Sequence, residues 1–240
     1  MCGRYVSPQQ AAMEREWHIG RHNSNPFKRR FNVAPTSIVP ILRLDAESGE
    51  LELASATWGL IPIWWKEAKP PRLTFNARSE EAATKPMWRQ PLRSARCLVP
   101  AEGWYEWQIV ERADPVTGEI KQAKQPHFIF RKDGKLICFA GLMSQRKGAE
   151  DEPPALSCAI LTGAAAPSVS AVHNRMPIVL PASAHDAWLD PKLNDSEKAI
   201  ALAREAAETE FAHHAVSLRV NSARIDDQSL TEPLDEKVGR

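Results

Sequence analysis

Between Thr36 and Leu180 the chain is a succession of short apolar, β-branched runs set apart by turn residues, and that spacing limits the fold more than any other feature of it. Thr36–Leu44 and Leu51–Trp58 flank Asp45-Ala46-Glu47-Ser48-Gly49-Glu50 and read as a hairpin. Arg96–Val99, Trp104–Val110, His127–Arg131 and Lys135–Leu142 read as further strands, with Lys132-Asp133-Gly134 as a tight turn, and Ala155–Leu161 and Ile178–Leu180 complete the β region. Helical signals lie outside it. Ser7-Pro8-Gln9-Gln10 offers a cap, a proline for the first helical position and a capping-box Gln, which predicts a helix from Pro8 to about Trp17. Ala182–Leu189 and Asp195–Ala207 follow late, with Asp195 as N-cap. Strands that do not alternate with helices argue against a doubly wound parallel sheet; the expectation is an α+β fold, a β-rich core of mainly antiparallel strands with peripheral helices.

The length, 240 residues, lets a chain hide roughly 70–75% of its unfolded surface without disulfides or a metal. A single domain over residues 1–240 is expected, because the Asp114–Glu119 and Gly148–Pro154 stretches read as exposed loops and not as boundaries. No run approaches the ~18 consecutive apolar residues of a membrane span. Met1-Cys2-Gly3-Arg4-Tyr5 also lacks a signal-peptide core, so no membrane partner and a cytoplasmic location are the expectations. The net charge of +1 conceals an asymmetry: residues 1–96 carry 15 Lys+Arg against 9 Asp+Glu, and residues 185–240 carry 7 against 12. A cationic face for an anionic ligand and plain solvated charge both account for that bias.

Nucleotide-binding, zinc-protease and nucleophile-elbow motifs are absent. The four cysteines, Cys2, Cys97, Cys138 and Cys158, and the seven histidines show no metal-ligand spacing, and His213-His214 would point to opposite faces of a strand, so no metal and no cofactor are expected. Three cysteines suit a core. Cys2 differs, because removal of Met1 would leave amine and thiol on one residue, with ordinary pKa values of about 7.7–8.0 and about 8.5. Such a 1,2-aminothiol either attacks an amide, its amine serving as base, or captures an aldehyde as a Schiff base that the thiol closes into a thiazolidine. A chance cysteine at position 2 is the bland alternative.

Seven short words occur in order: Met1-Cys2-Gly3-Arg4-Tyr5, Asn32-Val33-Ala34-Pro35-Thr36, Trp58-Gly59-Leu60-Ile61-Pro62, Asn76-Ala77-Arg78-Ser79-Glu80, Gly103-Trp104-Tyr105-Glu106-Trp107, Phe139-Ala140-Gly141-Leu142 and His173-Asn174-Arg175-Met176-Pro177. Over about residues 2–190 the chain resembles the SRAP family, the SOS response-associated peptidase proteins. The resemblance implies a barrel-like fold and a protein that binds single-stranded DNA at abasic sites, trapping the ring-opened sugar on its N-terminal cysteine as a thiazolidine crosslink that shields the lesion. It implies Cys2 as nucleophile, Asn76 holding the amine or thiol, Glu106 as general acid/base and His173 helping to open the deoxyribose ring.

By the same resemblance, Arg4, Arg78 and Arg175 are the phosphate-contacting candidates, and Asn32, Pro35, Trp64 and Trp65 the rim where bases are splayed. Residues 58–96 interleave tryptophans (Trp58, Trp64, Trp65, Trp88) with bases that include Lys66, Lys69, Arg72, Arg89 and Arg96, a pattern suited to single-strand stacking. The Gln108–Gln125 stretch is longer than the family requires, and beyond Asp190 the acidic, Ala-rich part is unassigned. A monomer is expected. Two alternatives stay open: a thiol peptidase or amidohydrolase, with self-removal of Met1 as its narrowest form, and non-covalent single-strand binding. AP-lyase activity would follow if the Schiff base eliminated before the thiol closed.

Overall fold

A computed structural model describes residues 2–19, 26–67, 74–114, 117–146 and 155–234. The chain runs β1 (Tyr5–Ser7), α1 (Gln10–Trp17), β2 (Arg30–Val33), β3 (Ile38–Leu44), β4 (Leu51–Trp58), β5 (Asn76–Arg78), α2 (Ser79–Ala82), α3 (Pro86–Ser94) and β6 (Arg96–Ala101). It continues through β7 (Gly103–Ala113), β8 (Ile120–Phe130), β9 (Ile137–Arg146), β10 (Ala155–Ala164), β11 (Arg175–Pro177), β12 (Val179–Leu180), α4 (Ala182–Leu189), α5 (Ser196–Glu205) and β13 (Ala212–Ala215).

Five strands close on themselves. β4 pairs with β3, β3 meets β6 at Leu42↔Leu98, and β6 pairs with β9 and β9 with β10, all antiparallel; β10 then returns parallel to β4 at Ser157↔Thr57. Closure removes the free edges an open sheet would expose. It also explains why β3, β6, β9 and β10 are largely apolar on both faces. Val39, Ile41, Cys97, Val99, Ile137, Phe139, Cys158 and Ile160 fill the barrel, while their neighbours Leu42, Leu98, Ala140, Leu142, Ala159 and Leu161 face an outer layer that includes Trp88 and Leu92 of α3, Trp188 of α4 and Ile200 of α5. The three thiols at 97, 138 and 158 are core groups.

A second sheet, in the order β13-β8-β7-β1-β2, lays Tyr5, Val33, Trp104 and Ile129 against the barrel core. Its opposite face, with Val6, Tyr105 and Phe128, is covered by Val216, Val220 and Leu230 of the C-terminal part. Only glycine fits at position 103, since a Cβ there would stand 2.4 Å from the Ile129 carbonyl oxygen and 2.6 Å from the Phe128 ring.

Several sequence expectations need correction. Ser7 is the last residue of β1 and caps nothing; the first helix starts at Gln10, with Gln9 as an N-cap that makes no side-chain bond. The Trp104–Val110 and His127–Arg131 runs extend into one hairpin paired from Gly103↔Phe130 to Ala113↔Ile120, so the long insertion is an outgrowth of β7 and β8. Asp195 caps α5 as expected, accepting from the backbone N–H groups of Glu197 and Lys198. His213 meets the His127 ring while the His214 Nε2 reaches the Thr231 carbonyl, consistent with opposite faces. The Gly148–Pro154 loop and the basic Lys69 and Arg72 lie outside the described residues.

Arg96, counted from sequence among the DNA-facing bases, is 6% exposed and holds the fold. Its guanidinium donates to the carbonyls of Leu92, Arg93, Trp188 and Asp190 at 2.6–3.1 Å, tying the ends of α3 and α4 to β6. Arg96→Met would leave those acceptors unsatisfied and is expected to cost about 3 kcal/mol, roughly 6–12 °C in thermal midpoint. Arg96→Lys should recover little, because one ammonium cannot span four carbonyls. A thermal melt with a shift under about 2 °C would remove Arg96 from this role.

A candidate nucleophile site around Cys2

The site lies where the barrel meets the second sheet. β5 runs parallel to β10 with Asn76 opposite Ile160, and this register aims the Asn76 side chain at the chain start. Its Nδ2 donates to the Cys2 carbonyl at 2.7 Å, and the Asn76 Oδ1 is buried with no hydrogen-bond partner among the described residues. Asn76 therefore grips the Cys2 backbone, where the sequence reading put it on the amine or thiol. Cys2 itself is fully buried, its Sγ 3.8 Å from the Arg4 carbonyl. Burial pushes the thiol well above its ordinary pKa and the nearby Glu106 charge adds to this, so the resting sulfur is protonated at neutral pH.

Glu106 follows Trp104 on the same face of β7 and is 1% exposed. Burial lifts its carboxyl to about 7, against the pull of the amino-terminal charge and of the Trp107 backbone N–H. His173 lies two residues before β11. Its Nδ1 lies 3.0 Å from the Arg175 backbone nitrogen and 3.1 Å from the Arg175 carbonyl oxygen, so the backbone of that residue fixes the ring. Burial first, then the positive charges of the amino terminus and Arg175, hold this histidine below its ordinary pKa. Glu106 and His173 share a cavity of about 380 Å³ with Trp107, Lys124 and Asn221. Buried thiol, proton-exchanging carboxyl and neutral imidazole together equip the site for addition to a carbonyl and proton transfer around it.

The remaining expected residues divide. Trp64 is 57% exposed and sets its ring 6.1 Å from that of the half-buried Trp65, edge to face, and Pro35 is half-buried in the turn before β3. Arg78 is exposed at the end of β5. These four are open to a ligand. Asn32 is not: it is fully buried, and its Nδ2 donates to the carbonyls of Val220, Ser222 and Ile225, so it cannot form a rim for bases. Arg4 donates to Asn32 Oδ1 and to the Val220 and Asn221 carbonyls, and thus anchors the C-terminal part where a phosphate contact was expected. Arg175 is engaged with both oxygens of Glu80 at 2.7 and 3.0 Å and with Thr162. Trp58 and Trp88 belong to the core. Lys124 and Asn221 were missed from sequence, because only the 11-residue strands β7 and β8 and the folded-back C-terminal part bring them to the cavity.

Comparison with known proteins is consistent with this geometry. A family model described as SOS response associated peptidase (SRAP) matches residues 1–223. The chain is 34% identical over 202 residues to the abasic site processing protein YoqW of Bacillus subtilis, covering 84% of this chain and 85% of that one. It is 32% identical to the abasic site processing protein YedK of Escherichia coli, covering 98% and 100% of the two chains. An X-ray structure of a Bacteroides thetaiotaomicron protein matches with a TM-score of 0.74 at 20% identity, covering 98% of this chain and 100% of that one, a likeness of fold.

Proposed function

The chain belongs to the SOS response associated peptidase (SRAP) family, and from that premise we propose that it processes abasic sites in single-stranded DNA by crosslinking them to Cys2. The observation that carries this reading is the enclosure of an N-terminal cysteine, held through its carbonyl by Asn76, beside the buried Glu106 in a site that His173 shares. Its relatives bear the name abasic site processing protein. Among the described residues no helix is long and apolar enough to cross a membrane.

The chemistry begins with hydrolysis of the Met1–Cys2 bond, which consumes one water and frees the Cys2 amine. Asn76 Oδ1 is then available to accept from that amine. His173 protonates the ring oxygen of the abasic sugar and exposes the aldehyde. The amine adds to the aldehyde carbon, and the carbinolamine loses water, with Glu106 returning the proton to the departing oxygen. The thiol finally adds across C=N, its sulfur bonding to carbon and its proton passing through Glu106 to nitrogen. The net loss is one water. A Schiff base that lingers would instead expel the 3′-phosphate by elimination, which is the lyase outcome. Arg78 serves the phosphates, and Trp64, Trp65 and Pro35 the bases.

Intact-mass analysis, alone and after mixing with an oligonucleotide holding one abasic site, tests this. Expected are loss of Met1 and a denaturation-resistant increment equal to the oligonucleotide less one water. Processed protein that forms no adduct but turns over amide substrates would establish the hydrolase reading in its place.

A further inference from the structure

The cavity that holds Glu106 and His173 has a second wall, and that wall is built for an anion. Trp107 Nε1 donates to Asn221 Oδ1 at 2.8 Å. An indole N–H can only donate, so the amide orientation is fixed and the Asn221 Nδ2 is left as a donor. Asn221 is held in place from behind: Arg4 donates to its carbonyl at 3.2 Å and to that of Val220 at 2.9 Å, and Asn32 donates to Val220 at 3.2 Å. Two buried or half-buried side chains of the N-terminal region thus present one C-terminal amide. On β8, Lys124 stands opposite Ile109 and diagonal to Trp107, and this exposed residue lines the same cavity. Among the five lining residues Lys124 is the one lysine or arginine. A phosphodiester approaching the Glu106 carboxylate is repelled unless positive charge stands beside it; the imidazole, with its lowered pKa, adds none at neutral pH, so among the cavity's side chains Lys124 supplements the amino-terminal charge.

We propose that Lys124 and Asn221 form a phosphodiester subsite that seats the phosphate next to the abasic sugar and so sets the sugar against Glu106 and His173. This rests on the crosslinking reading above and names the part of the strand the site grips. It also gives the acidic C-terminal part a task, since Asn221 belongs to it, and explains what Arg4 does there.

The experiment measures crosslinking rates on an abasic oligonucleotide, on the same oligonucleotide with a neutral methylphosphonate on either side of the lesion, and on free 2-deoxyribose, which carries the aldehyde but no phosphate. Lys124→Ala is expected to slow DNA crosslinking about three- to fivefold at low salt and to flatten the log–log salt slope by about 0.7. Asn221→Asp keeps the acceptor for Trp107 and replaces the donor by a repelling oxygen, so it should slow the reaction on the order of tenfold, more than Asn221→Ala. One methylphosphonate position should slow the wild-type protein and leave Lys124→Ala no slower than it already is. Free 2-deoxyribose should react equally with all variants. Lys124→Ala and Asn221→Asp at wild-type rates on DNA would overturn the subsite alone, as would equal slowing on free 2-deoxyribose. Wild-type protein that forms no stable adduct with either aldehyde would overturn the crosslinking reading instead.

Discussion

Cys2→Ala is expected to yield no product with abasic DNA that survives denaturation, whereas borohydride should still capture a fraction as a reduced Schiff base. The two halves of the aminothiol have separable tasks. Alanine is small enough for Met1 to be removed and keeps the amine, so imine formation remains possible, but nothing adds across C=N and water reverses the bond. Cys2→Ser restores a nucleophile of the right reach and the wrong acidity. Its hydroxyl should give at most an adduct that hydrolyses during denaturation. The side chain at position 2 is fully buried, so both variants lose core packing at a cost of about 1 kcal/mol, and circular dichroism separates that loss from the chemical one. A denaturation-resistant product with Cys2→Ala would show that another residue holds the sugar and would end the thiazolidine assignment.

The barrel was legible because most of its strands are largely apolar on both faces, which turned β3, β6, β9 and β10 into runs with clear ends, while β4 carries Glu52, Ser55 and Thr57. Short strands were not. β1, β2, β5 and β11 are of three or four residues and owe their conformation to partners far along the chain, such as Tyr5 opposite Val33 and Asn76 opposite Ile160. The site shows the same division. Cys2, Asn76, Glu106 and His173 stand in words that can be read locally, and each lies at this one junction. Arginines and asparagines mislead at that level, because a guanidinium donates equally well to a phosphate and to a carbonyl. Arg4, Asn32 and Arg96 all satisfy backbone carbonyls of segments at least 90 residues away in the chain, in addition to any nearer contacts. Composition cannot separate these uses; only the partner does.

Glu106→Gln is expected to make the protein slower and more stable at once. A proton-transfer group at the reacting centre contributes about 10²- to 10⁴-fold, so crosslinking should fall by that order while binding to an uncleavable abasic analogue stays near wild type. Wild-type rates should rise through about pH 7 as the carboxylate becomes available, and the variant should lack that limb. Stability runs the other way. The native carboxyl holds its proton up to about 7, while an unfolded one releases it near 4.5, so between those values the native state binds more protons and stability falls as pH rises. At about 1.4 kcal/mol per unit, the full cost above pH 7 is roughly 3 kcal/mol. Glutamine never bears that charge, so at pH 8 the variant should melt about 6–12 °C above wild type, and at pH 4 the two should nearly coincide. A glutamate retained for packing would give the stability gain with crosslinking intact. A glutamate that served only to hold the strand would give a loss on both axes. Opposite signs on rate and stability, with the pH limb near 7 lost from both, are what a carboxyl buried for the sake of proton transfer must produce.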